Sequence, residues 1–290
     1  MQTDMEILKN LHDNTLNRYL DETADLYMVH AKKRKLILPN ETDFAYKHCS
    51  DNVIDSIWGS TKPESEFSKK DGEYNHNIKR IMLTSEFRSA VMFPNEKKLI
   101  TLNKARMTAF HEIGHTFQYD DFSTINDMNT FDYDEAINDF AEMMVALSYY
   151  RNGGQYGVDD ARIEFCCDDS ISSSAKPEDL QRWVEENIQY VLYGKNGSKT
   201  YPAGYSAYYA NTFKLMKSFD LSVKDAIRAG TVFNKGGMDE LSKQYNKKYK
   251  GRSFQGLIEL VGSKRFENKS RHLPPLTLND CKKYIKEING

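Results

Sequence analysis

The chain has 290 residues, with 40 Lys and Arg against 42 Asp and Glu, a net charge of −2, and 12% aromatic residues. That balance argues against a wholesale nucleic-acid binder, which carries a basic excess, and no apolar run approaches the ~18 residues that suggest a membrane helix. With 16 Gly and 7 Pro the composition is neither collagen-like nor disordered, which leaves a soluble, aromatic-rich globular protein of one large or two modest lobes.

The first forty residues read as helix, with Ile7, Leu8, Leu11, Tyr19, Leu20 and Leu26 at roughly helical spacing and Pro39 as the stop. The basic run Lys32-Lys33-Arg34-Lys35 within it reads as a solvated helix face. Residues 40–76 are polar and mixed, punctuated by Gly59, Pro63 and Gly72, and read as a loop-rich connection. Short apolar or alternating runs at 78–83, 90–93 and 99–102, with turn chemistry at Pro94-Asn95-Glu96-Lys97, predict a small antiparallel sheet. Helices are then expected at 104–119, 133–150, 177–193, about 203–218, 222–229, 237–248, 253–261 and 277–287. Asp134 and Glu135 suit a first helical turn, as do Glu178 and Asp179 after Pro177. Ser222 with Asp225 resembles a capping pair, and Gly194 and Gly230 sit where C-terminal glycines belong. Linkers are expected at 151–157, 168–176 and 194–199. The expected class is α+β: an N-terminal helical and loop segment over 1–76, a sheet with long helices over 77–150, and a helical lobe over 151–290, together one catalytic unit.

Four cysteines, Cys49, Cys166, Cys167 and Cys281, are too few for a disulfide scaffold. The adjacent Cys166 and Cys167 read as partly buried thiols, and a reducing compartment is mildly favoured. The opening Met1-Gln-Thr-Asp-Met-Glu6 has no basic stretch followed by an apolar one, so no cleavable signal is visible. A cytoplasmic protein, one exported without such a signal, and a mature secreted form all fit.

The sharpest feature is His111-Glu112-Ile113-Gly114-His115. On a helix, residues four apart share one face, so both imidazoles can reach a single ion. Neutral imidazole is a preferred zinc ligand, and catalytic zinc typically takes three protein ligands and a water. Glu112, about 100° around the helix from His111, can take a proton from that water without ligating. The metzincin pattern would need Gly at 118 and His at 121, where this chain has Gln118 and Asp121. Downstream, Asp134-Glu135-Ala-Ile-Asn-Asp139 places Glu135 and Asp139 four apart, again on one helix face. Glu135 would complete a His₂Glu site, with Asp139 accepting the free ring N–H of His111 and fixing its tautomer. Asp121 is the competing third ligand.

His111–His115 followed by Glu135-x-x-x-Asp139 resembles the gluzincins, the thermolysin-like clan of zinc metallopeptidases. Tyr201-Pro-Ala-Gly204-Tyr205 is similar to the Tyr-x-x-Gly segment of the M1 aminopeptidases, in which that tyrosine supports the tetrahedral intermediate. The likeness covers about 78–250. No Asn-Ala-x-x-Tyr edge-strand motif and no Gly-x-Met-Glu-Asn element is present, so no exopeptidase is assigned. The resemblance implies a zincin-like fold and a zinc-dependent endopeptidase acting on a peptide or protein. Water activated at His111, His115 and Glu135 would give its proton to Glu112, which passes it to the leaving amine. Tyr201 is the first candidate for the oxyanion donor, Tyr205 the second and His272 the third. In zinc peptidases an extended substrate commonly pairs with an edge strand beside the active helix; 88–93 is the candidate here.

A toxin or effector would fit these features as well as a cellular peptidase. The alternative from another class is a regulatory module that binds the metal on the same fold and cleaves nothing. An intact Glu112 speaks against it, because such a module has no chemical need of that base. Oligomeric state and cleavage-site preference are not encoded in any of these features.

Overall fold

A computed structural model describes residues 4–52, 72–75, 79–83, 91, 99–118, 128–154, 176, 179, 182–184, 206–232, 243, 247 and 274–290. These are mostly helical, with one two-stranded antiparallel sheet, an α+β composition. They fall into two compact units, Met1–Phe117 with Val145–Gly157, and Gln118–Met144 with Val158–Gly290. No helix among the described residues is long and apolar enough to cross a membrane.

In the first unit, α1 (Asp4–Lys33) buries Leu16, Tyr19, Leu20, Thr23, Ala24, Tyr27, Met28, His30 and Ala31. That stripe of threes and fours is the one its apolar spacing predicts, although Leu26 lies off its centre, half-buried. The helix ends with Lys35 in the left-handed region at φ 61°, where Leu36 N–H donates to Ala31 O at 2.8 Å and Lys35 N–H to Lys32 O at 2.9 Å. Glycine is the usual residue at such a stop; burial of Leu36 just beyond it offsets a left-handed strain of about 1–2 kcal/mol. Lys32, Lys33 and Lys35 are exposed, in keeping with a solvated basic run, while Arg34 is half-buried.

Part of the expected loop is ordered. A 3₁₀ turn (Pro39–Glu41) leads into α2 (Thr42–Asn52), with Leu38 N–H donating to the Glu41 carboxylate at 2.8 Å. Strand β1 (Gly72–Asn75) pairs with β2 (Arg80–Leu83) in the register Gly72↔Leu83, Glu73↔Met82, Tyr74↔Ile81 and Asn75↔Arg80. The run at 78–83 is thus a strand over most of its length, but its partner is the segment around Gly72. Of the expected strand at 90–93 only Val91 is described, and it is helical, while the expected strand at 99–102 opens helix α3 (Leu99–His115). A four-residue apolar run is equally compatible with strand and buried helix, and nothing between Leu99 and Ala105 breaks a helix.

The long helix α4 (Met128–Arg151) begins several residues before Asp134, so Asp134 and Glu135 lie inside it rather than at its first turn. From Asp134 to Ser148 every residue is buried, which places this stretch among core helices rather than two-faced surface helices. Its last turns belong to the first unit, where Tyr149 meets Phe110 edge-on at 5.9 Å.

In the second unit, α5 (Ser206–Phe219), α6 (Val223–Ala229) and α7 (Leu278–Asn289) follow the expected helices closely. Ser222 Oγ accepts from Asp225 N–H at 3.1 Å, the capping pair read from sequence, and Gly230 closes α6. Thr277 caps α7 in the same way, and Lys217 Nζ donates to Asp280 at 2.6 Å and to Pro275 O at 2.8 Å. Cys281, Tyr284, Ile285 and Ile288 form the buried stripe of α7. An aromatic series runs from Phe140 of α4 to Phe213 of α5 at 5.4 Å, and on to Tyr284 of α7 at 4.9 Å. Of the expected helix at 177–193, residues 179 and 182–184 are described and helical; of that at 237–248, only 243 and 247. The expected helix at 253–261 lies outside the described residues.

Candidate metal centre

Helix α3 delivers both histidines on its last turn. Its inner face, Ala105, Ala109, Phe110 and Ile113, is fully buried, which holds the helix rotation and turns His111 and His115 to a common side. The rings meet edge to face at 4.7 Å, with their Nε2 atoms 3.0 Å apart. Two nitrogens at ~2.0–2.1 Å from a tetrahedral zinc would sit ~3.3 Å apart, so the pair is close to a ligating spacing. The chain leaves the helix immediately afterwards: Thr116 N–H donates to Ile113 O at 3.0 Å, and Phe117 N–H to Gly114 O at 3.1 Å.

Residues of α2 hold that end of α3. His48 donates from Nε2 to Thr116 O at 2.7 Å, and its ring lies 6.0 Å from Phe117. Phe117 in turn stacks on Tyr27 of α1 at 5.7 Å. Cys49 hydrogen-bonds the Thr116 side chain, but burial pushes its thiol up to about 12, so it brings no thiolate to the neighbourhood of the histidines. Cys281 is raised to about 12 by burial as well. Among the described residues both cysteines are free thiols; Cys166 and Cys167 lie outside them.

Glu112 is 5% exposed, and strand β1 lies directly on it. A Cβ built on Gly72 would come within 2.7 Å of Thr108 Cγ2 and 3.2 Å of Glu112 Oε1. Only a residue without a side chain lets the strand approach the acid so closely. The sequence offered Gly72 as loop punctuation; its use is as the contact point between strand and helix.

The acidic half of the site comes from α4. One ligand-type atom each from His111, His115 and Glu135 lies within 4.8 Å of the others, and a second such set joins His111 to Asp139 and Glu142. Two imidazoles and a carboxylate suit zinc, so the donor set fits the metal that the motif implies. Glu135, Asp139 and Glu142 are buried, at 6%, 0% and 3% exposure. They are therefore not a solvated helix start.

The segment around Glu135 is pinned from its own unit. Gln118 Nε2 donates to Asp134 O at 2.8 Å, and Gln118 forms an isolated antiparallel bridge with Thr231. Gly230 packs so tightly on Ile137 that a Cβ there would overlap it. Tyr209 of α5 donates its hydroxyl to Asp139 Oδ2 at 2.5 Å.

The structure thus gathers His111, His115, Glu135 and Asp139, while Glu112 is buried against Gly72. Tyr201, Tyr205, His272 and Asp121 lie outside the described residues, as does the edge-strand candidate at 88–93 apart from helical Val91. Glu142 and Tyr209 were not anticipated. Glu142 had a legible signal, since it continues the stripe Glu135, Asp139 by one further turn. No family model, no curated protein and no solved structure matches the chain.

Proposed function

We propose that the protein is a zinc-dependent metallopeptidase of gluzincin type that hydrolyses peptide bonds, with a zincin-like arrangement of its helices and sheet. The observation that carries this reading is the convergence of His111, His115 and Glu135, whose ligand atoms lie within 4.8 Å of one another, with the buried acid Glu112 next to His111 in the chain. When bound, zinc supplies Lewis acidity toward a water and a substrate carbonyl. Glu112 takes the proton that the attacking water loses and returns it to the amine as the C–N bond breaks. Burial of Glu112 beside Gly72 holds its carboxylate in one place. Asp139 orients His111. Tyr201 is proposed as the donor to the oxyanion, with Tyr205 and His272 as successors.

The test is metal content after dialysis, wild type beside Glu135→Ala. About one zinc per chain in the wild type, lost in the variant, is expected; a peptide-library digest then identifies the cleaved bond. A wild type that holds no zinc even after reconstitution overturns the reading. Zinc retained in Glu135→Ala moves the third ligand elsewhere, with Asp121 next to be substituted. A protein that holds zinc but cleaves nothing, and in which Glu112→Gln changes no property, would be a metal-binding regulatory module instead.

A further inference from the structure

We propose that Tyr209 is a positioning residue of the metal centre, acting through Asp139 on His111. This rests on the reading of His111 as a metal ligand. Asp139 is 0% exposed and Tyr209 1% exposed, and the hydroxyl donates to Asp139 Oδ2 at 2.5 Å. Hydrogen bonds to an ionised acceptor are short and strong, and burial removes water as a competitor. The tyrosine ring is itself held, lying 5.6 Å from Phe140, which contacts Phe213 at 5.4 Å. Since Phe140 is the next residue to Asp139 on α4, the same packing fixes both donor and acceptor.

A carboxylate so clamped has one oxygen committed to the phenol, and its rotation about the Cβ–Cγ bond is blocked. Asp139 has a ligand-type oxygen within 4.8 Å of a ring nitrogen of His111. An acid that orients a ligating imidazole sets its tautomer and ring plane, and such partners are worth about 10–100-fold in metal affinity. The phenol determines which way that acid faces. Tyr209 would thus affect the metal without touching it, and α5 contributes to the centre from a helix that supplies no ligand.

The experiment is zinc affinity by competition with a chromophoric chelator, for the full chain, its Tyr209→Phe variant, Asp139→Ala, and the double variant. The change to Phe removes one oxygen and keeps the ring packing. Tyr209→Phe is expected to weaken zinc about 10–100-fold in the wild-type background and less than about 3-fold beside Asp139→Ala. A purely structural tyrosine would lose the same factor in both backgrounds, and that result overturns the proposal. Unchanged affinity in Tyr209→Phe also overturns it, while leaving the peptidase reading intact. A wild type without zinc removes both. Should Asp139→Ala fail to fold by circular dichroism, the cobalt-substituted single variant decides. Visible bands displaced from those of the wild type support the proposal, and superimposable bands refute it.

Discussion

Two histidine environments in this chain, at His30 and at His111 with His115, point in opposite directions. His30 sits on α1 with its Nδ1 sharing a 2.9 Å hydrogen bond with Ser148 Oγ, and its ring meets Tyr149 edge-on at 5.5 Å. Close by, Arg106 donates to the Tyr149 hydroxyl at 2.8 Å, and Asn152 Nδ2 to Ser148 O at 2.7 Å. Burial, helped by nearby Lys33, lowers the pKa of His30 to about 4 and keeps it neutral. At His111 and His115, by contrast, two imidazoles face each other through Nε2, and buried carboxylates of α4 join the same group. Only one imidazole of such a pair can supply the bridging proton, so like groups converge where His30 has a complementary hydroxyl. A buried histidine is therefore no sign of a site. Convergence of like donors on one point is.

The largest effect that sharpens this contrast is expected from Glu112→Gln. On the proposed peptidase reading Glu112 is the general base, a role worth about 10²–10⁴-fold, so peptide hydrolysis should fall by that factor while zinc content stays at the wild-type level. A variant that also loses zinc would make Glu112 a ligand and break the assignment. Second comes Gly72→Ala. Its Cβ would press on Thr108 and Glu112, an overpacking that costs about 1–3 kcal/mol and displaces the base. The melting temperature and the hydrolysis rate should fall together, with zinc affinity unchanged. A variant as active and as stable as the wild type would show that β1 can lift away from the helix.

The metal motif was legible because helical geometry converts sequence spacing into a shared face without help from the rest of the fold. Glu135 and Asp139 were legible for the same reason, yet their setting was not. Asp134 and Glu135 suit a first helical turn, yet Glu135 and Asp139 both lie in the buried stretch of α4, since a helix buried on all sides has no polar face to mark its register. The capping pair of Ser222 and Asp225 lies within four consecutive residues and can be read locally. The sheet could not. Gly72 is a strand residue because Thr108 and Glu112 leave no room for a side chain, and that information lies some forty residues away in the chain. Tyr209 was hidden among 18 tyrosines, and only tertiary packing distinguishes it from the others.

The smallest effect at neutral pH, and the one that tests the His30 half of the comparison, concerns acid stability. With a folded pKa of about 4 against the ordinary imidazole value of 6.5, the unfolded chain binds a proton at His30 that the folded chain refuses between those values. Stability from this group is therefore complete above about pH 7 and is lost as the pH falls from 6.5 toward 4. The loss at pH 5 is on the order of 2 kcal/mol. Replacing His30 by Gln keeps a polar partner for Ser148 and removes the titration, so urea unfolding should show the variant losing less stability than the wild type between pH 7.5 and 5. Parallel losses in the two proteins would mean that His30 accepts its proton in place. The metal-facing pair offers the control. Zinc affinity should weaken over the same pH interval because protons compete for His111 and His115, and that weakening should be the same in His30→Gln as in the wild type. Acid would then act on the two histidine environments through separate equilibria, one opposing folding and the other opposing metal binding.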